Sequence, residues 1–355
     1  LRVELKGEVI IVGAGPSGIR TAWSALEKGF KTIVFEWDES FGGIKKLLGH
    51  SVKYPEEAKL FNKTTVVRLQ YNPKGKHRLI ALARGKVYEV EGERVVVATG
   101  SRDLTPAAVK IAGDRPSGIF TATEALRLIN GGYVIGNDVI VYGSNEMAIS
   151  LSVLLASKGY AVRLVAPEGF HSTLKNVEVL SGLITTVLGK RRVRGVVVKG
   201  LNEGNEVEEP CDTLIISRGY KPMIKLIEGL KVNIDWRTGS ALVNENFEAL
   251  KGIYLVGGSL APFELMENVE KSGNLEFDTS LNHGIDIVAG KGLRFVVPQM
   301  LGSPKEFTLF YSLLKQPSRL FIPEENIEID VSKREGYLSV RPSNNKKRLT
   351  VEAYE

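Results

Sequence analysis

The stretch Val9–Gly18, VIIVGAGPSG, decides the fold, together with the helical run IRTAWSALEKG and the strand KTIVFE that ends at Glu36. A short apolar run bounded by glycines predicts a parallel strand buried on both faces. Gly13 permits the tight turn, Gly15 lets the backbone reach a pyrophosphate, and Gly18 lets helix and strand pack closely. The helix N-terminus offers N–H groups and a partial positive charge to the phosphate. Glu36 stands at the end of the second strand, where a carboxylate accepts both hydroxyls of an adenosine ribose. A lone GxGxxG is weak. Strand, glycines, helix, strand and terminal acid together predict a dinucleotide-binding βαβ unit.

Working outward, Gly42-Gly43 follows soon after, and a strand RVVV runs into Ala98-Thr99-Gly100. Between them TTVVRLQ and HRLIALA read as hairpin strands joined by the turn Asn72-Pro73-Lys74-Gly75. A second βαβ unit begins at Asp138–Tyr142 with DVIVY, turns through Gly143-Ser144-Asn145-Glu146-Met147-Ala148, and resumes as a strand at Ala161. In this coarse repeat Asn145 replaces the middle glycine. Asn tolerates left-handed backbone, but its side chain takes space that a pyrophosphate needs. Glu146 is expected to cap the helix with its carboxylate and to repel a diphosphate. Ala166 stands where a ribose-binding acid belongs, and no arginine pair replaces it for a 2′-phosphate. The second unit is expected to be a Rossmann scaffold rather than a working NAD(P) site.

Composition agrees with a globular chain. Of 355 residues, 43% are hydrophobic and 25% charged, and no apolar window is long enough for a membrane span. Glycine, at 37 residues, is in excess. The net charge of +6 is small for this length. The basic cluster Lys190, Arg191, Arg192 and Arg194 lies in an expected hairpin without interleaved aromatics, so a solvated tip is expected and a nucleic-acid partner is not. Cys211 is the single cysteine, which excludes a disulfide, a CxxC pair and a four-thiolate cluster; a small residue opening a buried strand is its expected role. His50, His77, His171 and His283 show no metal-ligand spacing. Leu1 leads straight into a charged strand without a signal-peptide core, so a cytoplasmic location is expected, and the missing initiator Met implies lost residues. Scarce Gln beside plentiful Lys, Arg and Glu points to a thermophile.

In this order the pieces resemble the two-dinucleotide-domain flavoproteins of the pyridine nucleotide–disulfide oxidoreductase superfamily. The matching segments are IIVGAGPSG, VFEWDESFGG, RVVVATGSRDLTP, SGIFTATEAL, DVIVYGSNEMA, CDTLIISRGYKP and KGIYLVGGS. The resemblance implies an α/β fold of two Rossmann-like, three-layer domains, the second inserted into the first, with a small C-terminal extension. The implied boundaries are 1–108 with 246–290 for the FAD domain, 109–245 for the degenerate NAD(P)-type domain, and 291–355 for the extension. It implies cofactor contacts at Gly13, Gly15, Pro16, Ser17, Gly18, Glu36, Trp37, Gly42, Gly43, Val67, Ala98, Thr99, Gly100, Gly257 and Gly258. Lacking a cysteine pair, the chain looks less like a disulfide reductase than like the nucleotide-binding subunits of sarcosine oxidase, hydrogen cyanide synthase and dye-linked proline dehydrogenase. These work beside a second flavoprotein subunit, so such a partner, or a homo-oligomer, is implied.

Two departures bear on the cofactor. The family closes on Gly-Asp, but here Gly258 follows Gly257, so the flavin half of the site is weakened while the adenosine half is intact. FAD remains the expected ligand, with N–H groups at the next helix start able to hold phosphate; NAD or ATP is the alternative. The tail contains an expected helix, PKEFTLFYSLLKQ, with Phe307, Phe310, Tyr311 and Leu314 at helical spacing, then a strand NIEIDV. No catalytic residue declares itself; Lys45, Lys46, His50 and Tyr54 after Gly43 are weighed against simple surface exposure. The expected function is an FAD-dependent oxidoreductase subunit passing electrons from an amine, amino acid or NAD(P)H to an acceptor. The alternative is a non-catalytic nucleotide-binding subunit of such an enzyme.

Overall fold

In a computed structural model the described residues are 1–167, 173–201, 204–275, 277, 285–291, 293–301, 307–313, 318–331, 335–342 and 348–354. His171 and His283 lie outside them. The chain divides into two compact units. One comprises Leu1–Gly43, Val52–Ser101 and Pro222–Glu355, and the other Ile44–Ser51 with Arg102–Lys221. The inserted unit is thus shorter than the 109–245 segment at its C-terminal end and longer at its N-terminal end. Residues 222–245, including a small hairpin of Ile234–Asp235 with Ser240–Ala241, group with the first unit.

The first unit is built on a six-stranded sheet in the order Glu248–Leu250, Ile253–Leu255, Arg94–Val97, Val9–Val12, Thr32–Phe35, Lys59–Phe61. All neighbours run parallel except the first pair. Val9, Ile10 and Ile11 are fully buried, as are Val95, Val96 and Val97, which is why these strands read as unbroken β-branched runs rather than as alternating ones. The crossover helix Pro16–Glu27 starts with proline in its first turn, where the missing N–H costs nothing. It buries Ser17, Gly18, Thr21, Ala22 and Ala25, small residues that let its axis lie close on the sheet. A second, four-stranded sheet holds the expected hairpin, Thr65–Gln70 against His77–Ala83, whose register skips Val67 in a bulge.

The second unit repeats the plan. Its sheet runs Ile119–Thr121, Thr213–Ile216, Asp138–Tyr142, Ala161–Ala166, Glu178–Leu188, Gly195–Gly200, Glu206–Pro210. The helix Ala122–Asn130 opens with a reciprocal capping box between Thr121 and Glu124. The basic hairpin tip is only partly solvated: Arg192 donates to the Ile135 carbonyl and, at 3.2 Å, to Thr213 Oγ1. Cys211 is 4% exposed just ahead of the Thr213–Ile216 strand, and burial pushes its thiol up to about 12. The native protein is therefore expected not to react with a disulfide reagent at mildly alkaline pH, and to react fully once denatured. Rapid native labelling would show the thiol to be accessible.

The tail departs from expectation. Phe307–Leu313 is a strand, not a helix, central in a three-stranded sheet between Leu293–Val297 and Glu335–Val340. Leu309–Leu313 is buried without interruption, so the strand is covered on both faces. Apolar spacing then matches a helical period by accident. Pro304–Glu306 and Leu314–Gln316 lie outside the described residues. The expected strand is present as Ile327–Val331, at one edge of a five-stranded sheet. Phe295, Val297 and Phe310 belong to the main core of the first unit, with Phe310 5.2 Å from Phe263 and 5.9 Å from Phe247 between ring centroids. Among the described residues no helix is long and apolar enough to cross a membrane.

Candidate functional site

The loop after Val12 is tied down by backbone bonds: Gly13 N–H donates to the Phe35 carbonyl at 2.8 Å, and Gly42 N–H to the Ala14 carbonyl at 2.7 Å. Gly13 has φ +110, and a Cβ there would lie 2.2 Å from the Ala98 carbonyl oxygen, so this position admits only glycine. Gly15 is different. It is the N-cap of the Pro16–Glu27 helix, in extended backbone, and a Cβ there would meet nothing within 4 Å. The space is open on the side where the first-turn N–H groups of Ser17 and Gly18 lack helical partners. Gly43 lies beside it, a Cβ there falling 3.1 Å from Gly15 Cα.

Glu36 is 5% exposed. Its Oε2 accepts from Ala14 N–H at 2.6 Å and its Oε1 from Asp38 N–H at 2.9 Å. Burial raises its carboxyl above the usual value, and the two backbone donors pull it back. The carboxylate thus braces the glycine loop. Each oxygen keeps further lone-pair capacity for a diol. Trp37 is 63% exposed and Val67 51%, so two large apolar side chains stand uncovered near this end. The skipped register at Val67 leaves its backbone out of the hairpin ladder.

At the other end, Ala98 N–H extends the sheet to the Val12 carbonyl, Thr99 Oγ1 donates to the Met223 carbonyl, and Met223 N–H donates to the Gly100 carbonyl at 3.0 Å. Gly257, at φ +62, abuts Ser17 Oγ, and its N–H donates to Ser272 Oγ at 2.7 Å. A Cβ on Gly258 would fall 2.7 Å from Ser101 Oγ and 2.8 Å from Ser101 N, so there is no room for the carboxylate that this position lacks. Two N–H groups just ahead of the next helix, Met266–Lys271, are engaged as well. Glu335, from the tail, accepts from Glu264 N–H at 3.1 Å, Leu265 N–H at 3.2 Å and Asn268 Nδ2 at 2.8 Å. The N–H groups leading into that helix are thus occupied by a side chain of the protein itself. Nothing in the sequence marked Glu335, because its partners lie some 70 residues away.

The residues therefore fit the adenosine diphosphate half of a dinucleotide: an open glycine cradle, a buried diol acceptor and an exposed ring. The expected donors for the far half are packed or capped.

The second loop is closed. Asn145 is not left-handed; at φ −77 it is the N-cap of Glu146–Ser157, and its Oδ1 accepts from Ala148 N–H at 2.9 Å and Ser217 Oγ at 3.0 Å. Asn145 supplies this side-chain cap, and Glu146 stands in the first turn of the helix. Of the residues following Gly43, Lys46 and His50 are exposed, whereas Tyr54 packs its ring 5.1 Å from Phe41, and burial raises its phenol. Among the described residues no group of His, Cys, Asp and Glu is placed to hold a metal ion.

Known proteins share this architecture. The chain is 23% identical over 309 residues to sarcosine oxidase subunit alpha of Corynebacterium sp. (strain P-1), covering 73% of this chain and 32% of that one. Among solved structures it is similar to L-proline dehydrogenase from P. horikoshii, with TM-score 0.56, 22% identity, and 73% and 52% of the two chains covered. Thioredoxin reductase from Lactococcus lactis gives TM-score 0.59 at 15% identity, covering 76% and 95%. The chain thus spans about a third of the sarcosine oxidase subunit and about half of the proline dehydrogenase chain. The family profile described as pyridine nucleotide-disulphide oxidoreductase matches residues 7–273, from ahead of the glycine loop to the end of the Met266–Lys271 helix. With two Rossmann-like units and a braced glycine loop inside that match, the chain belongs to the pyridine nucleotide-disulphide oxidoreductase family.

Proposed function

We propose that the chain binds FAD at the first glycine loop and serves as the flavin subunit of an oxidoreductase. The observation that carries this is the Glu36 carboxylate bonded to Ala14 N–H beside the open Gly15 position. When bound, a flavin would supply hydride or single-electron transfer. The protein's part is to hold it. Glu36 accepts the ribose hydroxyls, Ser17 and Gly18 N–H groups face the diphosphate, and the bulged Val67 backbone and the Trp37 ring bound the adenine. Gly13, Pro16, Gly18, Gly42 and Gly43 shape the loop, and Ala98, Thr99, Gly100, Gly257 and Gly258 form the wall beyond it.

A cysteine pair is lacking, so the substrate is not a disulfide; the donor is an amine, an amino acid or NAD(P)H. The likeness to an oxidase subunit and a proline dehydrogenase favours an amine or amino acid, with a second flavoprotein subunit, or another copy of this chain, beside it. Asn145 in the second loop argues against NAD(P)H binding there.

Gly258 and the capped helix favour a second reading, in which NAD or ATP occupies the first loop and the chain is non-catalytic. Absorbance of the purified protein separates the two. A flavin band at about 450 nm, one per chain, is expected; a colourless protein carrying NAD or ATP would overturn the FAD reading. Anaerobic addition of proline, sarcosine or NADH then identifies the donor by bleaching.

A further inference from the structure

Beyond the glycine loop, the first unit holds a cleft of about 400 Å³ at the opposite end of the six-stranded sheet. Its walls include Arg94, the first residue of one strand, and Lys251-Gly252, just ahead of another. The glycine-loop site lies past the other ends of these strands, about 13 Å away for four-residue strands. Lys74 and Lys76, from the hairpin turn, complete the cationic lining, and Glu93 is its single acid.

Two features set it apart from a solvated turn. Arg94 is held in the wall by stacking, its guanidinium 4.6 Å from the Phe30 ring centroid, and it meets Glu93 only at 3.5 Å. The floor is also rigid. His77 is 2% exposed, its Nδ1 accepts from Asn72 N–H at 3.2 Å, and burial lowers its pKa. A Cβ on Gly252 would lie 2.5 Å from His77 Nε2, so the cleft keeps its depth only with glycine there.

Four cations around one exposed acid repel one another, and an oxyanion would relieve that repulsion. We infer that this cleft is a binding site for a phosphate group, free or ester-linked, separate from the nucleotide loop. Its size suits a phosphomonoester rather than a protein segment. The inference stands whichever ligand fills the first site.

The test is calorimetric titration of inorganic phosphate, and separately of phenyl phosphate, into the full chain. One site per chain is expected, weakening with added salt; tighter binding of phenyl phosphate would assign the site to an ester. The double variant Lys74→Gln/Lys251→Gln, in which both side chains are exposed, should bind at least about tenfold more weakly. Arg94→Gln should do the same, and its loss of packing on Phe30 is checked by thermal unfolding. Gly15→Ala should leave phosphate binding unchanged. No saturable binding, equal binding by the lysine double variant, or loss confined to Gly15→Ala would overturn the inference.

Discussion

Gly15→Ala is expected to give a folded protein that has lost most of its nucleotide. The added methyl meets no protein atom, and the extended backbone at this N-cap suits alanine. The fold should lose only the difference between a glycine and an alanine cap, at most about 1 kcal/mol, or a few degrees in Tm. In the bound state the same methyl projects into the space left for the diphosphate. Overpacking of that kind costs about 1–3 kcal/mol, roughly 5- to 150-fold in affinity. Gly13→Ala should do the reverse. Its methyl would collide with the Ala98 carbonyl at 2.2 Å in a left-handed backbone, so the central strands cannot keep their spacing and the protein should fail to accumulate in folded form. Soluble yield of the Gly13→Ala protein, and thermal unfolding and nucleotide content of the purified Gly15→Ala protein, check this. A Gly15→Ala protein with full nucleotide content would refute the placement of the ligand.

Loss of Glu335 should have the second large effect. The carboxylate is 3% exposed and holds two backbone N–H groups and the Asn268 amide. Glu335→Ala leaves these donors buried and unpaired, at about 1–3 kcal/mol each. A total of about 3–5 kcal/mol, enough to lower Tm by some 10 °C, is expected. Burial pushes the Glu335 carboxyl up to about 7, from a usual value of 4.5. The native chain therefore keeps a proton that the unfolded chain releases between those values. Stability from this group falls as pH rises through that window and is level above about pH 7. Glu264 bears on the balance: it faces Glu335 while paired with Arg294 at 2.7 Å. Burial raises the Tyr311 phenol, and the nearby Glu335 charge adds to that rise. Glu335→Gln cannot titrate, so subtracting its Tm-versus-pH curve from that of the parent should isolate the slope. Parallel curves from pH 4.5 to 8 would show that Glu335 does not titrate there.

The βαβ unit was legible because its chemistry is local: β-branched strands, three glycines and an acid lie within one short stretch. The second loop was half legible. Substitution of its middle glycine was plain, but Asn145 was read for its backbone tolerance, while the folded loop uses its side-chain oxygen. The tail was misread where Phe307–Leu313 is buried on both faces, which erases the alternation that identifies a strand. Glu335 was invisible for a different reason. An acid that braces a distant turn looks like any surface acid until the chain is folded.

Asn145 has one more consequence. The second loop is shut by an amide seated on its own helix, not by a rearranged backbone, and Gly143 still makes its turn. At the turn itself the obstruction is therefore a single side chain on a kept backbone. Asn145→Gly would trade two hydrogen bonds for an open cradle like the one at Gly15. The missing middle glycine is thus one codon from restoration, while Glu146 beside it and Ala166 at the strand end would still set this loop apart from the first.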